Sequence, residues 1–109
     1  MSKKVLGQVN PSATTATTLY TVPSGKETVV STITICNTTA SSATFRIAVR
    51  PAGATLATVH YNAYDVTVGA SDTTALTLGI TLAATDVITV YGSTSTLVFH
   101  AYGDESTAV

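Results

Sequence analysis

Few side chains of this sequence are of the types that carry catalysis or bind metals: it has two histidines and one cysteine. His60 and His100 have no acidic residue at a motif spacing, and no Gly-x-Ser-x-Gly segment presents a nucleophilic serine. The histidines could meet across adjacent strands and bind a metal, but partly exposed strand residues packed beside tyrosine are the simpler interpretation. We therefore predict no catalytic, metal-binding or cofactor-binding residue, and no enzymatic activity.

The remaining polar groups favour structural roles. Asp65, Asp72 and Asp86 fall at separate predicted turns, where aspartate commonly accepts hydrogen bonds from nearby backbone amides, and a calcium site would need a denser set of oxygens. The seven glycines are scattered singly, so the sequence contains no phosphate-binding glycine motif. Cys36 is interpreted as a small buried residue of a strand, and a single cysteine fits a protein made in a reducing cytoplasm.

The side chains that suit binding to another molecule are tyrosines, arginines and two lysines near the start of the chain. Tyrosine combines a large apolar ring with a hydroxyl group, so several on one sheet could stack on sugars or anchor a protein, although packing at the rim of the core explains any single one. The arginines could pair with carboxylates across an interface and the lysines could pin an N-terminal arm, with solvated charge as the plain alternative. The candidate interface residues are Lys3, Lys4, Arg46, Arg50, Tyr61, Tyr64, Tyr91 and Tyr102.

The elements that must position these side chains are β-strands. The chain has 109 residues, the size of one ordinary domain, and 41 of them are threonine, valine or isoleucine, whose β-branched side chains favour extended backbone. We predict an all-β fold, a single antiparallel β-sandwich of about eight short strands of jelly-roll or immunoglobulin-like type. The domain spans residues 1–109, with 1–4 as an N-terminal arm and 104–109 as a C-terminal tail.

Eight segments alternate between apolar and polar residues, or form short apolar runs, between turn signals. The last two are expected to pair as a terminal hairpin across residues 92–95, and the fifth is expected to bend near 62–65. The predicted strands are 4–9, 18–22, 27–36, 43–50, 58–68, 76–82, 87–91 and 96–102.

Alternation also predicts which side chains face the core. In the third strand the apolar face carries Val29, Ile33 and Ile35, with Thr32 and Thr34 opposite. In the fourth strand, which has the clearest pattern, the inward residues are Phe45, Ile47 and Val49 and the outward ones are Thr44, Arg46, Ala48 and Arg50. The sixth strand alternates through Leu76, Leu78, Ile80 and Leu82, although Gly79 weakens it or marks a bulge.

Charge and hydropathy argue against two kinds of partner. Five lysines and arginines against six aspartates and glutamates give a net charge of −1, which provides no cationic field for nucleic acid or an anionic membrane. No apolar run is as long as a transmembrane span, and the start of the chain lacks the apolar segment of a signal peptide. Only 10% of the residues are charged, which is typical of a subunit whose neutral surface contacts its neighbours in an assembly.

Three segments are distinctive: Leu-Tyr-Thr-Val-Pro-Ser-Gly-Lys at 19–26, Ser-Thr-Ile-Thr-Ile-Cys-Asn at 31–37 and Thr-Phe-Arg-Ile-Ala-Val at 44–49. With these the sequence resembles small virion structural proteins of tailed bacteriophages. Later segments look like the same family, so that the resemblance covers about residues 5–105. These later segments are 56–58, 60–61, 76–82, 86–88 and 99–103.

The resemblance implies a compact β-sandwich without enzymatic activity, located in the virion and made in the cytoplasm of the bacterial host. We expect a capsid decoration or cement protein that binds the major capsid protein or other virion proteins and stabilises the assembled head. A homo-oligomer is expected, and decoration at symmetry axes would suit a trimer. The alternative is a tail, neck or fibre component that binds host-surface glycans through the tyrosines.

Overall fold

The computed structural model of the chain describes residues 2–77 and 79–108, with the backbone alone at Ser2. Within these residues nine strands form two antiparallel sheets that pack face to face, which confirms the predicted all-β sandwich. Sheet 1 contains, in spatial order, β1 (Ser2–Val9), β9 (Leu97–Thr107) and β3 (Lys26–Asn37), with β6 (Thr73–Leu76) and β7 (Ile80–Leu82) both paired to the far edge of β3. Sheet 2 contains β2 (Thr17–Thr21), β8 (Val87–Gly92), β4 (Ala43–Arg50) and β5 (Tyr61–Val68).

The core lies between the sheets and is built from their inward-facing aliphatic and aromatic side chains. Phe45 on β4 and Phe99 on β9 meet edge to face, with ring centroids 6.2 Å apart and planes at 75°. Phe45 and Ile47 are fully buried as predicted, but Val49 is only half-buried. Ala48, predicted to face outward, is fully buried; it lies at a register shift between β4 and β5, and the 3-10 turn Thr58–His60 contacts β4.

The alternation of β3 changes phase at a bulge. The pairing with β9 shifts register between Val30 and Thr32, so Ser31 is the extra residue. Val30 is therefore buried and Val29 is exposed, which makes the prediction for Val29 wrong, whereas Ile33 and Ile35 are buried as predicted. Cys36, interpreted from the sequence as buried, is half-buried because it alternates with the inward-facing Ile35.

Residues 2–4 and 104–107 of the two predicted loose ends belong to strands. Lys3 and Lys4 belong to β1 and lie opposite Asp104 and Gly103, so residues 2–4 do not form an arm. Residues 104–107 extend β9, which pairs with β3 as far as Thr107 opposite Lys26, so the predicted tail begins too early. These polar residues hold an extended conformation because the strands satisfy their backbone hydrogen bonds in the ladder, whatever the side chains.

The predicted terminal hairpin is wrong, because β8 lies in sheet 2 and β9 in sheet 1. The turn between them bonds both sheets: the Ser93 amide donates to the Thr44 carbonyl beside β8, and the Thr38 amide donates to the Thr96 carbonyl beside β9. The chain therefore crosses the edge of the sandwich here instead of folding back on itself.

Two further strands differ from prediction in their extent. The sixth predicted strand is two short strands, β6 and β7, separated near Gly79, whose φ of +63° is a left-handed conformation that glycine adopts readily. Leu78, predicted in that strand, lies outside the described residues. The fifth begins at Tyr61, since Thr58–His60 is a turn, and it does bend where expected: its register against β4 shifts between Val66 and Ala63, and Asp65 has a φ of +52°.

Candidate protein-docking surface

The eight candidate interface residues divide between the two sheets. Five belong to sheet 2 or its edge: Arg46, Arg50, Tyr61, Tyr64 and Tyr91. Three belong to sheet 1: Lys3, Lys4 and Tyr102. Of the four tyrosines considered as a stacking surface, Tyr61, Tyr64 and Tyr91 therefore belong to sheet 2, and Tyr102 belongs to the opposite sheet.

The outer face of sheet 2 holds Arg46 between two aromatic rings. The guanidinium carbon of Arg46 lies 4.1 Å from the centroid of the Tyr64 ring and 4.2 Å from that of Tyr91. Tyr91 is directly opposite Arg46 in the pairing of β4 with β8, whereas the bulge of β5 brings Tyr64 to the other side. Such cation–π contacts fix the orientation of a long side chain that would otherwise sample many rotamers.

The same bulge supplies the counter-ion of Arg46. Asp65, at the left-handed position of the bulge, accepts hydrogen bonds from Nε at 2.6 Å and from Nη2 at 3.3 Å. This planar pairing holds the pKa of Arg46 above its usual value, and burial opposes the shift only in part. Asp65 was predicted as a turn residue bonding local amides, and its pairing with Arg46 was not foreseen.

A third ring extends the surface, which we call the tyrosine–arginine platform: Arg46, Tyr61, Tyr64, Asp65 and Tyr91. Tyr61 meets Tyr64 edge to face, with centroids 5.0 Å apart and planes at 81°. Tyr64 is 54% exposed, and the same segment presents Val59, which is 85% exposed, and Val66. The platform is thus a fixed, partly apolar surface that extends from β8 across β4 to β5, the outermost strand of sheet 2 in the described part of the chain.

Arg50, on the same strand as Arg46, contacts its own chain. Its Nε donates to Thr89 Oγ1 at 3.0 Å, and its Nη1 donates to the carbonyl of Ala54 at 3.0 Å. These bonds tie the loop after β4 to sheet 2 and help to bury Thr89. A structural role explains Arg50, and its role in an interface stays a prediction.

Lys4 belongs to a hydrogen-bonded link between the sheets that the sequence did not reveal. Glu105 accepts hydrogen bonds from the Tyr20 hydroxyl at 2.6 Å and from Lys4 Nζ at 3.0 Å. The Tyr20 hydroxyl also shares a hydrogen bond of 2.8 Å with Thr28 Oγ1. The bonds from Tyr20 and Lys4 lower the pKa of Glu105. Burial and the neighbouring Glu105 carboxylate raise the pKa of Tyr20 to about 12.

The outer face of sheet 1 carries Tyr102 and His100 together with residues not singled out from the sequence. Tyr102 shares a hydrogen bond of 2.9 Å with His100 Nδ1, which also lies 3.3 Å from Gln8 Nε2. Two positions along β9, Asp104 has a buried carboxylate oxygen, Oδ1, that finds no hydrogen-bond partner among the described residues. No sequence signal could have marked Asp104, because its importance depends on the bulge and on both neighbouring strands.

The histidines and the other two aspartates considered from the sequence lie at separate places in the fold. His60 lies in the turn before β5 of sheet 2 and accepts a hydrogen bond from the Ala57 amide, whereas His100 lies on sheet 1, so the two do not meet across adjacent strands. Asp72 and Asp86 accept bonds from backbone amides at turns, as predicted. In the part of the chain that the structure describes, no three His, Cys, Asp or Glu side chains cluster as metal ligands would.

No family model, curated protein or solved structure matches the chain. Among the described residues, none of the helical segments is of a length and hydropathy to cross a bilayer.

Proposed function

We propose that the chain is a non-enzymatic structural subunit of a bacteriophage virion, a capsid decoration or cement protein that stabilises the assembled head by binding across capsid subunits. The virion setting rests on the sequence resemblance and on the low charge of the chain. The observation that carries a binding role is the tyrosine–arginine platform, in which Arg46 is stacked between Tyr64 and Tyr91.

The platform has the composition and the rigidity of a protein-binding hot spot. Tyrosine and arginine dominate such hot spots, and side chains that are already ordered lose little entropy when a partner arrives. Asp65 holds the charged end of Arg46 in place, so a partner meets a compensated ion pair framed by rings rather than a free cation. This arrangement suits a partner protein with an apolar rim and hydrogen-bonding groups.

Binding to an assembled shell would stabilise it by mass action. A site that spans two capsid subunits exists only in the assembled state, so each bound copy shifts the equilibrium toward assembly, and many copies act together on one particle. If the chain is a homo-oligomer, each oligomer would also gain avidity. The proposed partners are therefore the major capsid protein or other virion proteins.

The experiment is to add the purified protein to phage particles that lack it, to locate the added density by electron microscopy and to follow release of DNA on heating. We expect density over the capsid lattice, delayed release, and loss of both with Arg46→Ala. Lys26→Ala, which removes a cation from the start of β3 in the other sheet, is the matched control and is expected to bind normally. Density restricted to the tail or neck, with unchanged release, would overturn the decoration role.

A tail, neck or fibre component that binds host glycans is the second candidate, favoured by the grouping of Tyr61, Tyr64 and Tyr91. Sugar stacking uses a ring face, however, and the guanidinium of Arg46 occupies one of the two faces of Tyr64 and of Tyr91, which reduces the ring surface that a sugar could contact. For this reason we rank it second. Specific adsorption of the isolated protein to host cells or to a glycan array, abolished by Tyr61→Ala, would reverse the order.

A further inference from the structure

The outer face of sheet 1 contains a carboxylate that the fold leaves incompletely bonded. Asp104 lies on β9 between Lys3 of β1 and Val29 of β3. Its Oδ1 is buried and has no hydrogen-bond partner among the described residues, and no ion pair joins it to Lys3 there. Because a desolvated carboxylate oxygen without a donor destabilises the free protein, this face is incomplete electrostatically.

Asp104 borders two open depressions on that face. The first, of about 310 Å³, we call the acidic depression; it is lined by Glu27, Val29, Thr81, Leu82, Asp104 and Ser106. The second, of about 580 Å³, is lined by Lys3, Lys4, Val5, Ser31, Tyr102 and Asp104. The charges differ: the acidic depression has two carboxylates and no cation among its lining residues, whereas the second has two lysines.

The charges that line the two depressions indicate what kind of side chain would bind and through which depression it would reach Asp104. A cation entering the second depression would meet Lys3 and Lys4, whereas the acidic depression offers Glu27 and Asp104 without repulsion. Val29, which is 45% exposed, provides an apolar wall beside the carboxylates. An aliphatic stem with a charged end matches that combination, because lysine and arginine pack their methylene groups on apolar surface and keep the charge among polar groups.

We propose that the outer face of sheet 1 is a second protein-docking surface, and that its occupant is a lysine or arginine side chain of a partner protein that reaches Asp104 through the acidic depression. The partner's N–H groups bind the Asp104 carboxylate where it lines the acidic depression. Exposed Val5 and Val29, on either side of Asp104, contact the apolar residues that flank the basic side chain. The proposal extends beyond the tyrosine–arginine platform and does not depend on it, since the two surfaces lie on opposite sheets.

The probes are the blocked pentapeptides Ala-Val-Lys-Val-Ala and Ala-Val-Arg-Val-Ala, with a norleucine peptide as the uncharged control. Each is titrated into the isotopically labelled full chain at low salt, and backbone amide shifts are followed by nuclear magnetic resonance. We expect saturable shifts at Val29, Thr81 and Asp104, with unchanged amides at Arg46 and Tyr91. The norleucine peptide is expected to bind at least roughly fivefold more weakly, because it lacks the charge that Asp104 recognises.

Two variants separate recognition by Asp104 from the general negative field. Asp104→Asn is expected to weaken binding of the basic peptides at least roughly fivefold while the chain remains folded, as judged by its dispersed amide spectrum. Glu27→Gln removes one negative charge from the same depression and is expected to weaken binding less than about twofold, in line with a peripheral charge. The proposal is overturned if no saturable shifts occur around Asp104, if norleucine binds equally well, or if both variants weaken binding to the same extent.

Discussion

The outer faces of the two sheets each carry a charged side chain, and the two side chains differ in how far their own chain compensates the charge. On sheet 2, Arg46 is stacked between two tyrosine rings and paired with Asp65 within the same chain. On sheet 1, Asp104 lies between two strands with one oxygen buried and no donor within the described residues. The first charge is satisfied before any partner arrives, and the second is not.

Each face owes its arrangement to a bulge. In β5 the extra residues bring Tyr64 and Asp65 to Arg46, and in β3 the extra Ser31 turns Val29 outward beside Asp104. Bulges re-aim side chains that strict alternation would place elsewhere. A bulge can therefore produce either a preorganised charge or an incompletely bonded one, depending on which side chains it brings together.

The largest effect is expected from Gly103→Ala, which would disrupt the face of sheet 1 selectively. A Cβ at Gly103 would overlap the carbonyl oxygen of Val29 and approach Val30 Cα to 2.9 Å, so β9 and β3 would have to separate locally. We expect the free energy of unfolding to fall by about 3 kcal/mol, measured by urea denaturation.

Gly69→Ala is the matched control for that substitution. Its Cβ would meet only the Asp72 side chain, at an ordinary contact distance of 3.6 Å or more, and its backbone has no positive φ. We expect almost no change in stability. Equal losses in the two variants would show that close strand approach at Gly103 does not shape the face of sheet 1.

Next in size is the effect of Arg46 on binding to the assembled particle. Arg46→Ala removes the centre of the platform, and we expect the apparent dissociation constant to rise roughly tenfold or more. Arg46→Lys retains the charge but loses the planar stack and the two-point bond to Asp65, so it is expected to recover only a small part of the affinity. Full recovery by lysine would mean that charge alone matters, and the contrast between the faces would lose its basis.

A sharper test compares the two carboxylates within the free protein. Asp104→Asn removes a charge that lacks a donor, and we expect stability to rise by about 1 kcal/mol. Asp65→Asn removes the counter-ion of Arg46, and we expect stability to fall. Thermal unfolding of both variants in the same buffer measures the direction of each stability change. A loss of stability in both would show that the Asp104 carboxylate has a hydrogen-bond donor in solution.

The sequence predicted the sandwich because composition and alternation report backbone preference and burial directly. The inward side chains of Phe45 and Ile47 followed from that pattern, and so did the bend at 62–65. The prediction for Val29 was wrong because a bulge depends on the register between two strands, and the sequence of one strand does not show that register. The hairpin failed for a related reason, since a short turn does not reveal whether the next strand stays in its sheet.

The candidate surface was predictable only by residue type. Tyrosine and arginine suggested binding, but the grouping of Tyr64, Arg46 and Tyr91 required strand order, which alternation does not contain. Asp104 lies in a segment that was expected to be a polar tail. A charged segment is predicted to be exposed to solvent unless its strand partners are known. Glu105 was hidden in the same way, and its partner Tyr20 lies in the other sheet.

The smallest predicted effect concerns Glu105, which bonds the sheets together beneath Asp104. Its pKa in the folded chain is lowered from about 4.5 by the Tyr20 hydroxyl first and by Lys4 second. A depressed carboxyl pKa stabilises the fold above the unfolded value, and this contribution is lost as the pH falls through the folded value. Stability should therefore decline below about pH 4.5, and Glu105→Gln should flatten part of that decline in unfolding curves measured across the acid range.

Lys26→Met removes a weaker, more distant influence on Glu105 and is expected to leave the slope nearly unchanged. If Glu105→Gln also leaves it unchanged, the link to Tyr20 does not hold the two faces in their relative positions, and the contrast between them must arise within each sheet separately.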